Sequence, residues 1–587
     1  MTAVRRLLII ACAMSAVTMS AQTKKTSRAT GAKAPPVTVT MDPSRTDPSE
    51  APRGGRVATV TVQADTDKDN NNARALRLSL DEAIRTSVEN NLGVQIQRYD
   101  YQMAGQSLRS TYGAFDWFAT ADVEHQSQKS PTISRFASNG GRNTFANLGV
   151  QQFIPTGGTY NLGFRNSRDV TTGGGTFINP AYRSSLSASL DQPLLRNFGT
   201  DISRRGINIA RNTLGISHEA FRQTLMNTAV SVEQAYLDLI YARQFVDVVK
   251  ESLFLARDQS RITQIRIDVG ASAPLDILQP NVQTATEEGN LILAVASVRD
   301  AEDRLRQLMH LDPANWDRPI IPTDPVHYVP VPVDAKQSVA RAMELRPELR
   351  EAGLTTATRR IQYLYARNQV LPKLDAVLSY NAAGLAGRTL DIDPVTNLPT
   401  GTSTTTNFPN ALSQVFGNDS PSWSFGFTVG VPIRNIGARA EKKRAELDLA
   451  QSKTTELLTR ENVVVEVRKA TRDIDTAAKS ITATRAARDA AEKNLDAERK
   501  RYENGMTTNF QVLQVQGQLS TARVREIQSL VGYNKSLANY HRAVGDLLEE
   551  RNIRIEEEKV DEPQLFTTFD RYPWLSYEHR LRPEEKK

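Results

Sequence analysis

The chain contains 587 residues, of which 39% are hydrophobic and 24% are charged. This length predicts several domains or one repeated architecture, and this polarity excludes a bundle of transmembrane helices. The 73 Lys and Arg residues and the 66 Asp and Glu residues are mixed along the chain and leave a formal charge of +7, which argues against a nucleic-acid partner.

A secretory signal peptide is predicted at the amino terminus, in residues 1–21. Arg5 and Arg6 precede an apolar run, residues 7–21, that ends in small residues and is too short to span a bilayer. The protein is therefore expected to be exported. The sole cysteine, Cys12, lies inside this segment, so the mature chain is expected to have no disulfide, no thiolate metal site and no cysteine nucleophile.

Cys12 also allows an alternative interpretation, in which this cysteine is lipidated. The residues before it, Ile9, Ile10 and Ala11, fit the short pattern that precedes a lipidated cysteine in bacterial lipoproteins. Few apolar residues precede Cys12, however, and the apolar run continues beyond it, which favours the cleaved signal peptide.

Residues 22–75 are expected to form a disordered leader. The segment is rich in Thr, Pro, Ala, Lys and Asp and has no apolar periodicity. It therefore cannot bury enough apolar surface to offset the entropy that is lost on ordering.

An internal repeat with an offset of 235 residues organises the rest of the chain, as residues 76–330 and 331–548. The offset aligns residues 266–270 with residues 501–505 without a gap. It also aligns two heptad series, one of mostly large apolar residues and one of mostly alanine: Val232, Leu239, Val246 and Leu253 with Val467, Ile474, Ile481 and Arg488, and Ala235, Ala242, Val249 and Ala256 with Ala470, Ala477, Thr484 and Ala491. Such a seam predicts long helices that pack closely as coiled coils.

Each repeat is predicted to contain a helical hairpin. The two seams end at Gly270 and Gly505, and a second helix follows in each repeat, at about residues 275–311 and 510–548. The first arm, at about residues 204–269, would be roughly 100 Å long at the helical rise per residue. An ordinary compact bundle does not accommodate a helix of that length.

The segments between the helices alternate like β-strands. Residues 423–431 place large apolar side chains on one face and Ser, Gly or Thr on the other, over the length of a transmembrane strand. The other segments with this pattern are residues 117–125, 143–154, 159–168, 184–190 and 374–380. A strand of a soluble sandwich can show the same alternation, but flanking long helices favour the wall of a membrane barrel.

The connections between these strands alternate in length. Long polar links, residues 126–142 and 170–183, flank a tight turn at residues 155–158, and one long link, residues 381–422, joins the last two strands. Long outer loops and short inner turns are typical of outer-membrane barrels. Four strands plus two cannot close such a barrel alone, and open edges do not occur in lipid, so oligomerisation is expected.

Taken together, these residues resemble the TolC-like outer membrane efflux proteins, also called outer membrane factors. The resemblance covers about residues 76–548. Its landmarks are the two glycine turns and four short motifs: residues 78–84 with Glu89, Asn90 and Asn91; Arg346, Pro347, Glu348 and Leu349; residues 192–199; and Val431, Pro432 and Ile433. Proline at the strand exits ends the hydrogen-bonded ladder and releases the chain toward a helix.

The resemblance implies a mainly α fold with a membrane β-barrel, formed by a homotrimer in outer-membrane lipid. The helices would continue the barrel as a periplasmic tunnel that meets an adaptor and an inner-membrane pump. It also implies a passive, gated exit duct of a tripartite efflux or type I secretion system. The chain contains no nucleotide-binding, metal-binding or nucleophile motif, so neither an enzyme nor a cofactor is predicted.

The first repeat contains an additional hairpin, residues 143–168. Family members have two strands per repeat and twelve in the trimer. If this hairpin joins the wall, the trimer has eighteen strands; the alternative is that the hairpin packs elsewhere.

The resemblance also implies gate residues near the glycine turns, where the family's tunnel narrows. The acidic position six residues after Gly270 is Asp276, and the tyrosine three residues before Gly505 is Tyr502. A hydrogen bond between Asp276 and Tyr502 is therefore predicted to hold the inner hairpin closed. Two alternatives are a helix N-terminal carboxylate for Asp276 and a heptad core position for Tyr502.

The chain departs from the family at three further positions. The constricting aspartates six and nine residues after the second glycine are here Gln511 and Gln514, and the arginine two residues after it is Thr507. This departure puts in question whether the chain has the family's acidic ring, at which cations block such pores. Amide contacts are an alternative basis for the closed state.

A second function from another class is a non-conducting periplasmic stalk or adhesin with a soluble sheet. It leaves the alternation of residues 423–431 without a lipid to face. The charged tail, residues 549–587, is expected either to lie on the outer face of the tunnel or to be disordered.

Overall fold

A computed structural model describes residues 39–41, 75–131, 140–172, 177–392, 399–555 and 572–581. The predicted signal peptide, Cys12, most of the leader and most of the tail lie outside the described residues. One part of the leader is described: strand β1 (Val39–Met41) pairs antiparallel with strand β11 (Ile553–Ile555). The prediction of a leader without structure is therefore wrong for those three residues, whose backbone forms a ladder with the start of the charged tail.

Helices form most of the described chain. The main helices are α1 (Leu80–Asn90), α2 (Leu92–Tyr112), α3 (Arg205–Asp268), α4 (Leu278–Met309), α5 (Ala335–Leu345), α6 (Pro347–Asn368), α7 (Phe408–Gly417), α8 (Ile436–Glu503) and α9 (Asn509–Val544). Single turns occur at Thr200–Ser203, Leu547–Glu550 and Tyr577–Arg580. Among the described residues, no helix combines the length and the hydropathy needed to cross a bilayer.

The two long helices match the predicted arms. Helix α3 has 64 residues and helix α8 has 68 residues, which correspond to roughly 96 Å and 102 Å. Each packs antiparallel against the helix that follows it, α3 against α4 and α8 against α9. The shorter helices extend these layers, since α2 packs beside α3, and α6 packs beside both α3 and α8.

The large apolar residues of the predicted heptad seam are buried in both repeats. Leu239 and its counterpart Ile474 are 0% and 2% exposed. The position that breaks the series, Arg488, forms an ion pair with Glu526 of α9 at 3.1 Å. The seam is therefore apolar where the heptad is regular and is held by opposite charges where it is not.

A small core surrounds the middle of α3. Strand β2 (Leu76–Leu78) pairs in parallel with strand β7 (Ile320–Pro322), and Ile84 of α1 is fully buried beside them. A capping box between Ser79 and Glu82 begins α1. The hydroxyl of Tyr236 donates to the Leu78 carbonyl at 2.9 Å, and burial raises the pKa of Tyr236 to about 12.

Charged side chains join α6 to α8 at the point where α6 begins. Arg346 is 5% exposed and forms ion pairs with Glu348 at 2.9 Å and with Glu466 of α8 at 2.7 Å. Glu351 has no ion-pair partner within the part of the chain that the structure describes. Burial raises its pKa above the usual range, and the negative charges of Glu348 and Glu219 add to the shift.

We predict that Glu351→Gln stabilises the protein at alkaline pH. Because the folded-state pKa of Glu351 is raised, its contribution to stability is full below the unfolded-state pKa and is lost as the pH rises through the folded-state pKa. Glutamine imitates the protonated carboxyl. The thermal unfolding midpoint of the variant should therefore exceed that of the wild type at pH 8, and the difference should shrink toward pH 4. Glu344→Gln, at an exposed position on α5, is the control. Equal midpoints at pH 8 would contradict the prediction.

The strands form one antiparallel sheet in the order β10-β8-β6-β5-β4-β3. Their bounds are β3 (Phe118–Lys129), β4 (Gly140–Phe153), β5 (Thr159–Thr172), β6 (Ile178–Pro193), β8 (Lys373–Ile392) and β10 (Pro421–Gly430), and β9 (Pro399–Thr405) pairs with the far end of β8. All six predicted strands are present. Hairpin β4–β5 pairs with β3 on one side and with β6 on the other, so the additional hairpin lies in the sheet and does not pack elsewhere.

The prediction of a long link over residues 381–422 is wrong. This segment contains the outer half of β8, strand β9 and helix α7. Two contacts explain the difference. Strand β6 pairs with β8 as far as Thr389, and α7 packs on β8 at Gly384, where a Cβ atom would lie 2.0 Å from the Ala411 carbonyl oxygen.

Helix α7 also covers part of the β8 edge. Strand β10 pairs with β8 only up to Ala382. Beyond that residue, the Leu385 N–H donates to the Gln414 side chain of α7 at 2.9 Å, and Thr406 bonds with the Gly387 backbone. The backbone groups of β8 that β10 does not reach are therefore satisfied within the chain.

The register gives the sheet two distinct faces, because side chains on paired strands share a face. One row of paired residues is mostly apolar: Trp423, Tyr380, Ala188, Leu162, Val150 and Ala119. The adjacent row on the opposite face is mostly polar: Ser424, Ser379, Ser189, Asn161, Gln151 and Phe118. We refer to these sides of the sheet as the apolar face and the polar face.

We predict that a charge is far more costly on the apolar face than on the polar face. Phe427→Arg should destabilise the membrane-inserted protein by about 2–4 kcal/mol, the usual cost of arginine on the lipid side of a barrel. Thr428→Arg, one residue further along β10 and on the polar face, should be tolerated. The measurement is the yield of folded protein in the outer-membrane fraction. Equal yields for the two variants would show that the apolar face does not contact lipid.

Candidate constriction and conducting face

The two helical hairpins end in the same turn. Gly270 and Gly505 have φ values of +77° and +72°, in the left-handed region that favours glycine. In each turn the glycine N–H donates to the carbonyl three residues earlier, and the following N–H, of Ala271 or Met506, donates to the carbonyl five residues earlier. These bonds form a Schellman motif. The predicted glycine turns are therefore structurally equivalent ends of α3 and α8.

Asp276 and Tyr502 do not form the predicted hydrogen bond. The Asp276 carboxylate accepts from the Ala273 N–H at 3.0 Å and so begins the 3-10 turn Pro274–Ile277 that leads into α4. Tyr502 is 7% exposed, and the Arg266 guanidinium lies 4.1 Å from its ring centroid. The structure does not bring these two side chains together, because local backbone occupies the carboxylate and Arg266 covers the ring.

Arg266 joins the ends of the two long helices. Its guanidinium donates to the carbonyls of Tyr502 at 2.9 Å and Glu503 at 3.4 Å, in the last turn of α8. A cation is favoured there because carbonyls without helical partners concentrate negative charge at a helix C-terminus. The repeat offset aligns Arg266 with Arg501, yet Arg501 pairs with Glu498 of its own helix at 3.3 Å. Of these two arginines, only the one in the first repeat links the ends of the long helices.

A seam of polar contacts continues from this point between α3 and α9. Next to the turns, the amide of Gln259 donates to the Asn509 side-chain oxygen at 2.6 Å. The remaining pairs along the seam are Ser252 with Ser520, Glu251 with Arg523, Tyr241 with Gln528, Asp238 with Lys535 and Gln234 with Asn539. Such pairs exchange readily with water and contribute little net stability. Apolar contacts hold each hairpin together, whereas polar contacts dominate between α3 and α9.

Thr507, Gln511 and Gln514 lie at the start of α9 and its approach. Their side chains form no hydrogen bond with any described residue of the same chain. Gln514 is exposed, and Thr507 and Gln511 are half-buried. The two glutamine amides can each donate and accept, so the structure leaves three polar side chains beside the turn uncommitted.

The polar face of the sheet, far from the glycine turns, borders a cavity. The cavity has a volume of about 820 Å³, and its lining includes Asp122, Asn147 and Ser187. On the same face Arg183 forms an ion pair with Asp169. A wet, mixed-charge face opposite an apolar face is the arrangement of a membrane wall that encloses water. Among the described residues, no group of three or more His, Cys, Asp and Glu could hold a metal ion.

The chain resembles several known outer membrane proteins. The outer membrane efflux protein BepC of Brucella suis is 22% identical over 350 residues, which are 59% of this chain and 69% of BepC. The solved structure of VceC from Vibrio cholerae has a TM-score of 0.56 at 13% identity and covers 79% of this chain and 96% of its own. The Campylobacter jejuni CmeC outer membrane channel has a TM-score of 0.55 at 14% identity, with coverage of 81% and 89%.

The family assignment rests on a match to both repeats. The model of the outer membrane efflux protein family matches residues 157–309 and 339–545, which together exceed half of the chain. The matched regions contain both glycine turns, both long helices and most of the sheet. The chain thus belongs to the outer membrane efflux protein family, as an exit duct for efflux whose strands lie in the outer membrane and whose helices lie in the periplasm.

Proposed function

We propose that three copies of the chain form one gated conduit that receives its cargo, through a periplasmic adaptor, from an inner-membrane pump of an efflux or type I secretion system. The observation that carries the proposal is the open sheet. Within the described chain, the outer edges of β3 and β10 have no partner strand. An unpaired edge is not tolerated in lipid, where its N–H and C=O groups have no water to bind.

The two free edges are suited to each other. Strand β3 runs away from the helices and has 12 residues, whereas β10 runs toward them and has 10 residues. A contact between β3 of one copy and β10 of the next is therefore antiparallel, like every other pair in the sheet. Three copies of six wall strands give a closed barrel of eighteen strands, a size that leaves an aqueous channel.

The additional hairpin β4–β5 widens the proposed barrel. A barrel diameter grows roughly linearly with strand number, so eighteen strands enclose a wider lumen than the twelve of the family trimer. The hairpin adds no helix to the periplasmic part. Passage is therefore controlled at the helical end, next to the glycine turns.

Exposed apolar side chains at the helical end support docking of a partner. Val269, Leu275 and Met506, at or next to the two turns, are each more than two-thirds exposed. Large apolar side chains gathered at one end of a chain mark an interaction surface. A periplasmic adaptor or a pump fits this surface, because energy for transport has to come from a partner.

The gate rests on the link that Arg266 makes and on the uncommitted side chains of α9. Arg266 fastens α3 to the end of α8, and Tyr502 supplies the ring and the carbonyl that hold it. In a trimer, Thr507, Gln511 and Gln514 of three copies would meet near the axis and close the pore through amide and hydroxyl contacts. Asp276 positions the turn that carries this end of α4.

The conduit is tested by reconstitution of the purified protein. We expect a trimer in mild detergent and discrete channels in planar bilayers, because the β3 and β10 edges pair only between copies. A monomer that forms no pores, or a protein that is extracted without detergent, would favour the stalk or adhesin instead.

The gate is tested by Arg266→Ala. Loss of the guanidinium removes one cation–π contact and two hydrogen bonds, so the closed state should lose about 1 kcal/mol or more per copy. Closed-state conductance in planar bilayers should therefore rise by about fivefold or more. Arg261→Ala is the matched control, because Arg261 pairs only with Asp258 of its own helix.

Tyr502→Phe separates the two ways in which Tyr502 can act. Phenylalanine keeps the ring beneath Arg266 and removes the hydroxyl, so closed-state conductance should stay at the wild-type level. A rise as large as that of Arg266→Ala would restore the hydrogen bond to Asp276 as the basis of closure.

A further inference from the structure

The charges on the sheet are divided between its two faces. In β3, β4, β5, β6, β10 and β8 up to Thr389, every carboxylate lies on the polar face: Asp122, Glu124, Asp169, Asp191 and Asp375. The apolar face has none over the same residues. It has four cations instead: Arg388 on β8, whose guanidinium donates to the Ser403 hydroxyl, and three on the neighbouring strands β3, β4 and β5, namely Lys129, Arg142 and Arg168.

These three cations lie next to one another. Lys129 pairs with Gly140, two residues from Arg142 on the same face of β4. Arg168 pairs with Thr144, two residues from Arg142 in the other direction. Both neighbours of Arg142 are therefore diagonal ones, about 7–8 Å away between backbones, which long side chains bridge easily.

None of the three cations has a counter-charge within the described chain. All three are exposed, and no described residue forms an ion pair or a hydrogen bond with their side chains. Arg183, on the polar face, shows the contrast, because it is paired with Asp169. The adjoining connections contain no Asp or Glu between residues 130 and 139 or between residues 173 and 177. Adjacent like charges repel each other unless an anion lies between them.

Along the strands, the three cations lie at the outer rim of the membrane. The apolar row that contains Ala119 lies toward the helices, and Lys129 lies ten residues further along β3. That distance is roughly 33 Å along a strand, or about 25 Å of height at the tilt of a transmembrane strand, which equals the height of the apolar band of an outer-membrane barrel. The cations therefore follow directly above the apolar rows.

We propose that Lys129, Arg142 and Arg168 form a binding site for the phosphate groups of the anionic glycolipid of the outer leaflet, of the lipid A type. The two guanidiniums present paired donors that fit phosphate oxygens, and the ammonium adds a third charge. Leu162 and Phe164, lower on the same face of β5, provide the surface for the acyl chains. The cations hold the phosphate groups of the lipid, and the apolar side chains below them contact its acyl chains.

The test compares two single variants on one strand. R168Q removes a cation from the apolar face, and R165Q removes one from the polar face three residues away. Full-length protein in mild detergent is titrated with diphosphorylated lipid A, and bound lipid is counted by native mass spectrometry. We expect about a fivefold loss of affinity for R168Q, and roughly twenty-five-fold for R142Q/R168Q. R165Q should bind like the wild type.

Three results would overturn the proposal. The first is a loss of lipid A affinity in R165Q equal to that in R168Q. The second is equal affinity of the wild type for lipid A with and without its phosphates. The third is displacement of lipid A by low millimolar inorganic phosphate, which would identify a site for the free ion. Bilayer conductance of R142Q/R168Q is recorded in parallel in neutral lipid. Normal channels with reduced lipid binding would support the site, and this readout keeps a failed channel distinct from a failed lipid site.

Discussion

The structure depends on one constraint, that backbone N–H and C=O groups in lipid have to be paired within protein. A six-stranded wall satisfies this requirement everywhere except at its two edges, β3 and β10. The need to pair those edges accounts for the direction of the end strands, for their similar length and for an even number of strands per copy. The helices follow from the same sheet, since β3, β6, β8 and β10 each connect to a helix on the periplasmic side, whereas β4 and β5 are joined there by a tight turn.

The periplasmic part divides its contacts by chemistry. Within each hairpin, the heptad residues around Leu239 and Ile474 exclude water. Between α3 and α9, pairs such as Gln259 with Asn509 remain polar. A hairpin held by apolar burial moves as one body, because buried side chains resist sliding, whereas a polar seam can exchange its partners for water. Arg266 lies at the end of that seam, where a small rotation of one hairpin produces a large displacement relative to the other.

Local periodicity made much of this fold predictable. The heptads defined the long helices, strict alternation defined residues 423–431 as a strand, and the glycine turns marked the hairpin ends. The outer half of β8 was missed because its many Ala and Gly residues carry no alternating signal, and only β6 and Ala411 of α7 show why it is a strand. The contact of Arg266 with Tyr502 spans 236 residues and depends on how two hairpins rotate about each other, which no local pattern encodes. The sequence placed Tyr502 beside the glycine turn, but it did not show that Arg266 covers its ring.

Helix α7 has a consequence for how copies recognise each other. The side chain of its Gln414 accepts a hydrogen bond from the Leu385 N–H, so the helix occupies the stretch of the β8 edge that does not pair with β10. An incoming β3 from another copy therefore finds an edge that stops at Pro421. A neighbour shifted outward by a pair of residues would collide with the helix and not gain further bonds. The short strand and the helix above it limit how far β3 can slide along β10. The alignment of the protomers is therefore set by this limit and not by the number of backbone hydrogen bonds alone.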